Sequence, residues 1–314
     1  MRAISGTVSY WKTGLPVSDV SLTLSGSQAQ TSSSDANGSY AFTDLAEGSY
    51  TLTPGKSDTD LVDESITALD CTLVMSHSVG ATPLQGHALT AADVDRSGEV
   101  NALDGTYILR KSVDNQSLPF PGANAIWVFD PPEQSFSPLV GNQTRHFTAI
   151  LLGDPSGNWN ANTTGPGGAP ASFSIPALTV APGGQVQVPV NLSLAPESAS
   201  TSFNLTIIYD PAVVSVVEVA RGEEIASAWS LEANTRTAGE IKVGLSGTTP
   251  VNQDGELLRI TFQATGAEGT QTDLQIISGN VDEILISQDS VEGGRLRIEG
   301  PPSQQMVYLP LIRR

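Results

Sequence analysis

Apolar and polar positions alternate along two stretches of this chain, and the period changes between them. Near the start, Ile4, Gly6 and Val8 open one strand. Val17, Val20, Leu22 and Leu24 fall on the next, and Tyr40, Phe42, Leu45, Tyr50 and Leu52 on later ones. Asp35-Ala36-Asn37-Gly38 has the chemistry of a hairpin turn between two of them. Farther on, Val186, Val188, Val190, Leu192 and Leu194 alternate strictly, as do Phe203, Leu205, Ile207 and Tyr209. Further strands are expected at 241–245, 258–262, 274–276 and 295–298. Short strands spaced this evenly, with turn residues between them, predict an all-β sandwich. The intervening segment departs from alternation, and Gly105–Ser112 reads as a helix with Tyr107, Ile108 and Leu109 to bury.

That helix follows the most specific chemistry in the chain. In the twelve residues Asp93 to Asp104, oxygen-bearing side chains stand at positions 1, 3, 5, 9 and 12, and glycine stands at position 6. A hard cation such as Ca²⁺ takes roughly six to eight oxygens, and a twelve-residue loop closing on a helix supplies them in this order. The expected ligands are Asp93, Asp95, Ser97, the carbonyl of Glu99, Asn101 and Asp104. Gly98 tolerates the positive φ that turns the Glu99 carbonyl inward.

A damaged copy lies 34 residues upstream, where Ser65-Ile66-Thr67-Ala68-Leu69-Asp70 aligns with Glu99-Val100-Asn101-Ala102-Leu103-Asp104. Positions 1, 3 and 6 of this copy fall on Thr59, Leu61 and Glu64, leaving only Asp63, Thr67 and Asp70 as side-chain ligands. The missing half has a candidate source. Asp154, Ser156 and Asn158 have the spacing of positions 1, 3 and 5, and folding them beside 65–70 would build a second site from two segments. A plain surface turn rich in Asp, Ser, Gly and Asn is the competing reading of 154–158.

Two loop–helix units with Ala-Leu-Asp at the loop end resemble a dockerin, the calcium-dependent plug of cellulosome-type assemblies. The resemblance implies partner-facing residues at loop positions 10 and 11 and on the outward helix face. These are Ala102, Leu103, Arg110 and Lys111, with Ala68, Leu69, Ser76 and His77 in the other copy. Three features of the later alternating stretch resemble a cohesin, the jelly-roll receptor of dockerins. They are Val180-Ala181-Pro182-Gly183-Gly184, Tyr209-Asp210-Pro211 and the strand of Gly255, Leu257, Ile260 and Phe262. The first stretch, with Asp35, Asn37, Gly38, Tyr40 and Phe42 followed by Gly48, Tyr50 and Leu52, resembles carboxypeptidase-regulatory-like and Cna B-type β-sandwich modules.

The expected fold class is therefore mainly β, with two β-sandwich domains flanking a small α-helical pair of calcium loop–helix units. The expected boundaries are 1–56 for the first sandwich and 57–165 for the calcium module with an aromatic C-terminal extension. A linker at 166–171, the cohesin-like sandwich at 172–299 and a tail at 300–314 complete the chain. Trp127, Phe129, Phe136, Phe147 and Trp159 in the extension are expected to cover the small helical core, with stacking on sugar rings as the alternative, and a strand is expected at 146–152. The tail is either an extra strand or part of a surface-sorting signal.

Charge and composition narrow the function. Fifteen Lys and Arg against 33 Asp and Glu give a formal net charge of −18. That is the wrong sign for a nucleic-acid face and suits a handler of divalent cations. The single cysteine, Cys71, excludes an intramolecular disulfide framework and is expected as a buried small hydrophobe. No run is long enough to span a membrane. No secretory signal is visible ahead of the first strand in this sequence, yet calcium loops of this kind suit the high free calcium outside cells, so an extracellular or cell-surface location is expected. His77, His87 and His146 are scattered and form no metal or triad motif, so no catalysis is expected. The resemblances together imply a scaffold or adaptor whose partners bear cohesins or dockerins, including other copies of itself. A carbohydrate-binding surface protein with structural calcium is the alternative.

Overall fold

The computed structural model describes residues 1–59, 62–160, 171–223 and 225–300. Its architecture is mainly β, two sandwiches with a small helical segment between them in space. The linker expected at 166–171, apart from Ala171, and the tail expected at 300–314, apart from Gly300, lie outside the described residues.

The first sandwich begins with β1 (Arg2–Tyr10), β2 (Ser21–Gly26), β3 (Gln30–Ser33), β4 (Ser39–Leu45) and β5 (Tyr50–Gly55). Its inward positions are those the alternation marks, with Ile4, Val8, Leu22, Leu24, Phe42 and Leu52 all buried. The Asp35–Gly38 turn forms, closed by Gly38 N donating to Asp35 O at 2.8 Å. It is not a hairpin between paired strands, however. The β3 strand pairs with β2 and β4 with β1, so the turn carries the chain from one sheet to the other.

Helices α1 (Val62–Ser65), α2 (Ala68–Ser78), α3 (His87–Ala92) and α4 (Ala102–Lys111) follow. The α4 helix starts three residues before the helix read from sequence, because Asn101 and Asp104 form a capping box that satisfies its first amides. Thr67 and Asp70 do the same for α2. The two helices approach closely at Gly105, where a Cβ would stand 3.2 Å from Met75 Sδ and 3.5 Å from Cys71 Sγ.

After the helices the chain returns to the first sandwich, which corrects the boundary expected at residue 56. Strands β6 (Trp127–Asp130), β7 (Gln134–Phe136), β8 (Gln143–Thr144) and β9 (Phe147–Leu151) complete both of its sheets. One sheet runs β4-β1-β9-β6, with β8 also on β1, and the other runs β3-β2-β5-β7. Without these additions β1 and β5 would each expose an unpaired edge. The helical segment is thus an insertion in one sandwich, and a single core runs from Ile4 to Trp159. The aromatics serve that core: Trp127 and Trp159 close on Tyr10 with ring centroids 6.1 and 5.0 Å away, and Phe136 and Phe147 lie on strands.

The second sandwich is built from β10 (Ala171–Ser174), β11 (Leu178–Val180), β12 (Gln185–Leu194), β13 (Ser200–Ile208), β14 (Val214–Arg221), β15 (Ser230–Asn234), β16 (Glu240–Val251), β17 (Gly255–Ala264), β18 (Gln271–Val281), β19 (Ile284–Leu285), β20 (Val291–Glu292) and β21 (Gly294–Ile298). One sheet is β14-β17-β12-β10-β20, and the other is β11-β21-β18-β13-β16-β15 with β19 on β18. Its own core includes Phe203, Ile207, Ile260 and Phe262.

Candidate functional site

The intact loop is held by its own backbone turns and amides. Arg96 and Gly98 adopt φ of 58° and 90°, which lets the chain reverse around the acidic side chains. Backbone amides fix position 1: Ser97 N donates to Asp93 Oδ1 at 2.9 Å and Gly98 N to Asp93 Oδ2 at 3.0 Å. Position 12 is held by Val94 N, which donates to Asp104 Oδ1 at 2.9 Å, and by Asn101 N on the other oxygen at 2.9 Å. Oxygens of Asp93, Asp95 and Asp104 converge within 4.8 Å of one another, the only such three-carboxylate group among the described residues. Burial raises the Asp104 pKa above the ordinary carboxylate value. Carboxylates held together against their repulsion, with no basic side chain in the group, are a donor set that fits Ca²⁺.

The structure brings the two halves of the split loop together with the same scaffold. At position 5, Asn158 N donates to Asp154 Oδ1 at 3.1 Å, as Ser97 N does to Asp93. At position 6, Trp159 N donates to Asp154 Oδ2 at 3.0 Å, as Gly98 N does to Asp93. Ser156 N reaches Asp70 Oδ1 at 3.0 Å, the counterpart of the Asp95 N contact to Asp104. Asn158 Oδ1, at the loop position that Ser97 holds in the intact loop, is fully buried and has no hydrogen-bond partner. Asp70 and Asp154 are both wholly buried. Thr67 Oγ1 donates to Asp70 Oδ2 at 3.2 Å.

One expected ligand is not there. Asp63 lies on α1, which turns its exposed carboxylate away to Lys111 Nζ at 2.5 Å. Two unexpected residues are. Tyr10 OH donates to Asp154 Oδ2 at 2.5 Å from the first sandwich. Glu283 approaches from the second sandwich, where Thr67 Oγ1 donates to its Oε1 at 3.3 Å and the Ser156 and Asn158 side chains face the same carboxylate. Burial, with the Asp154 charge adding to it, pushes the Glu283 pKa up to about 7. Glu283 is aimed by its neighbour Asp282, whose Oδ1 accepts from Thr201 N and Ser202 N at 3.0 and 2.9 Å. No sequence signal marks either residue, because neither belongs to a loop motif.

Helices α2 and α4 rest on the β13, β15 and β16 face of the second sandwich. Ala68 N donates to Asn204 Oδ1 at 2.8 Å, and Thr72 Oγ1 lies 2.9 Å from Ser246 Oγ and 3.1 Å from Thr201 O. From α4 and the turn after it, Ser112 Oγ accepts from Asn204 Nδ2 at 3.1 Å and Val113 O from Asn234 Nδ2 at 2.8 Å. Lys242 Nζ pairs with Asp114 Oδ2 at 2.6 Å. Gly244 makes room for the approach: a Cβ there would stand 3.0 Å from Leu109 Cδ1 and 3.2 Å from Val113 Cγ1.

Of the expected partner-facing residues, Ala68 lies in this contact. Lys111 is buried in ion pairs with Asp63 and Asp114. Ser76 is buried, while Leu69 and Arg110 are half-buried. His77 Nδ1 accepts from Leu84 N at 3.0 Å. Ala102 and Leu103 remain exposed. Thr72 lies one helical turn beyond loop positions 10 and 11, so the loop pattern does not mark it. His87 pairs with Asp130 and His146 with Thr7, so the three histidines serve three separate local contacts.

Comparison with known proteins agrees with this layout. The cohesin domain model matches residues 171–283, the dockerin type I domain model 61–111 and the carboxypeptidase regulatory-like domain model 3–68. Cohesin and dockerin are non-catalytic interaction modules, and type I dockerins in general bind calcium. No curated protein matches the chain. Similar solved structures include the sixth cohesin of scaffoldin B from Acetivibrio cellulolyticus, in complex with a dockerin. It is 20% identical, covers 41% of this chain and 99% of that one, and has a TM-score of 0.36. A type I cohesin–dockerin complex from Clostridium thermocellum gives 18%, 45% and 100%, with a TM-score of 0.37. A non-cellulosomal cohesin from the archaeon Archaeoglobus fulgidus gives 21%, 41% and 91%, with a TM-score of 0.35.

Proposed function

We propose that this chain is a non-catalytic, extracellular adaptor whose dockerin-like plug is seated on its own cohesin-like socket. Calcium orders the plug, and the contact is made in cis rather than between copies. The observation that carries this reading is the polar contact of α2 and the end of α4 with the β13–β16 face, centred on Thr72, Asn204 and Gly244. Ca²⁺ at Asp93, Asp95, Ser97, Glu99 O, Asn101 and Asp104 would neutralise the clustered carboxylates and hold the start of α4. A second Ca²⁺ at Asp70, Asp154, Ser156, Asn158 and Thr67 would do the same for α2.

Geometry and concentration both favour closure. A plug and socket joined by a short segment meet at an effective concentration of about millimolar. Neighbouring chains would have to exceed that to propagate a head-to-tail filament. Cohesin- or dockerin-bearing partners would then bind by displacing the internal contact. Light scattering over a concentration series tests this. A monomer mass at every concentration in calcium is expected. A mass that grows with concentration in calcium and falls with chelator would replace closure by assembly between copies.

A further inference from the structure

The two calcium loops differ in one charge. The intact loop presents Asp at positions 1, 3 and 12. The split loop presents Asp154 and Asp70 at positions 1 and 12 but Ser156 at position 3. Position 3 is where the third carboxylate is missing, and Ser156 is one of the residues facing Glu283.

We propose that the second calcium centre takes its third carboxylate from the cohesin-like sandwich, with Glu283 replacing the absent Asp at loop position 3, so that one Ca²⁺ clasps three separate chain segments. Acidic side chains alone would not argue for an ion. The independent observation is Asn158 Oδ1, an amide oxygen sealed from solvent with no donor to satisfy it, on a side chain that faces Glu283. A buried acceptor without a partner is costly, and a hard cation is the partner its neighbours specify. Asp70, Asp154 and Glu283 are linked through the hydroxyls of Thr67 and Ser156 and lie farther apart than the carboxylates of the intact loop, so the ion would draw them together. No basic side chain is among the residues that shift Asp70 or Glu283. The ion would thereby link the first sandwich through Asp154, the plug through Asp70 and the socket through Glu283.

The inference rests on the calcium reading of the split loop and on the in-chain contact, and the test separates them. Calcium titration by calorimetry on the chelated full chain is expected to give two ions. Glu283→Gln should weaken one of them by about tenfold or more and leave the other unchanged. Gly244→Arg, which wedges the plug off the socket, should weaken the same ion, and adding Glu283→Gln to it should have no further effect. Two ions of unchanged affinity in Glu283→Gln would overturn the clasp while leaving the split loop in place. A single ion in the wild type would overturn both. Thermal melts guard against a folding defect. Glu283→Gln should melt no lower than wild type in chelator, since it removes a buried like charge, and should gain less from added calcium. An equal loss with and without calcium would make Glu283 a structural residue only.

Discussion

At the residue scale, the two centres share a hydrogen-bond scaffold and differ in where their carboxylates come from. Asp95 supplies the intact loop from position 3, so Asp95→Asn should weaken calcium at that loop by about tenfold or more and spare the other ion. Calorimetric titration reads both. Tyr10 OH donates to the buried Asp154 carboxylate, and removing a donor from a buried charge costs about 1.5–3 kcal/mol. Tyr10→Phe should lower stability by that amount in urea denaturation carried out in chelator; no change would mean that the bond contributes nothing. The Asp154 half-loop was legible because position 1, 3 and 5 spacing survives as a local pattern. Tyr10 lies 144 residues from Asp154, and Glu283 sits in a turn with no motif. Contacts of that separation are set by how sheets close, which local periodicity does not encode.

At the element scale, the helices are defined by their caps and by the surfaces they meet. Alternation marked the long strands well, because each buries one face. It marked β9 within 146–152 but missed β14 and β15, whose faces are mostly half-buried, and the short strands β6 to β8, of which β6 and β7 end just before prolines. Strands β6 to β9 are why the first sandwich closes around the helical insertion. On α2, Thr72→Val leaves Ser246 Oγ and Thr201 O without their partner and should cost about 1 kcal/mol of docking. Hydrogen exchange of β13 and β16 amides would register it as faster opening. The Asp114–Lys242 pair gives the contact a pH dependence. Burial raises the Asp114 pKa, but the Lys242 and Lys111 hydrogen bonds outweigh it and hold the carboxyl below its ordinary value. A depressed folded value adds stability above the unfolded pKa of about 4 and loses it as pH falls through the folded one. The pair is partly exposed, so the effect is about 0–1 kcal/mol. The urea midpoints of wild type and Lys242→Met in chelator should differ at neutral pH and converge on acidification below about pH 4.

For the whole molecule, three modules legible as separate beads become two cores bridged by one helical insertion. The central claim is that plug and socket of one chain occupy each other. A protease site placed between residues 160 and 171 turns this into a direct measurement, because cutting there removes the covalent link and leaves only the contact. In calcium, the two halves of the wild-type chain should elute together in gel filtration, and the halves of Gly244→Arg should elute apart. Separate elution of the wild-type halves in calcium would contradict the account.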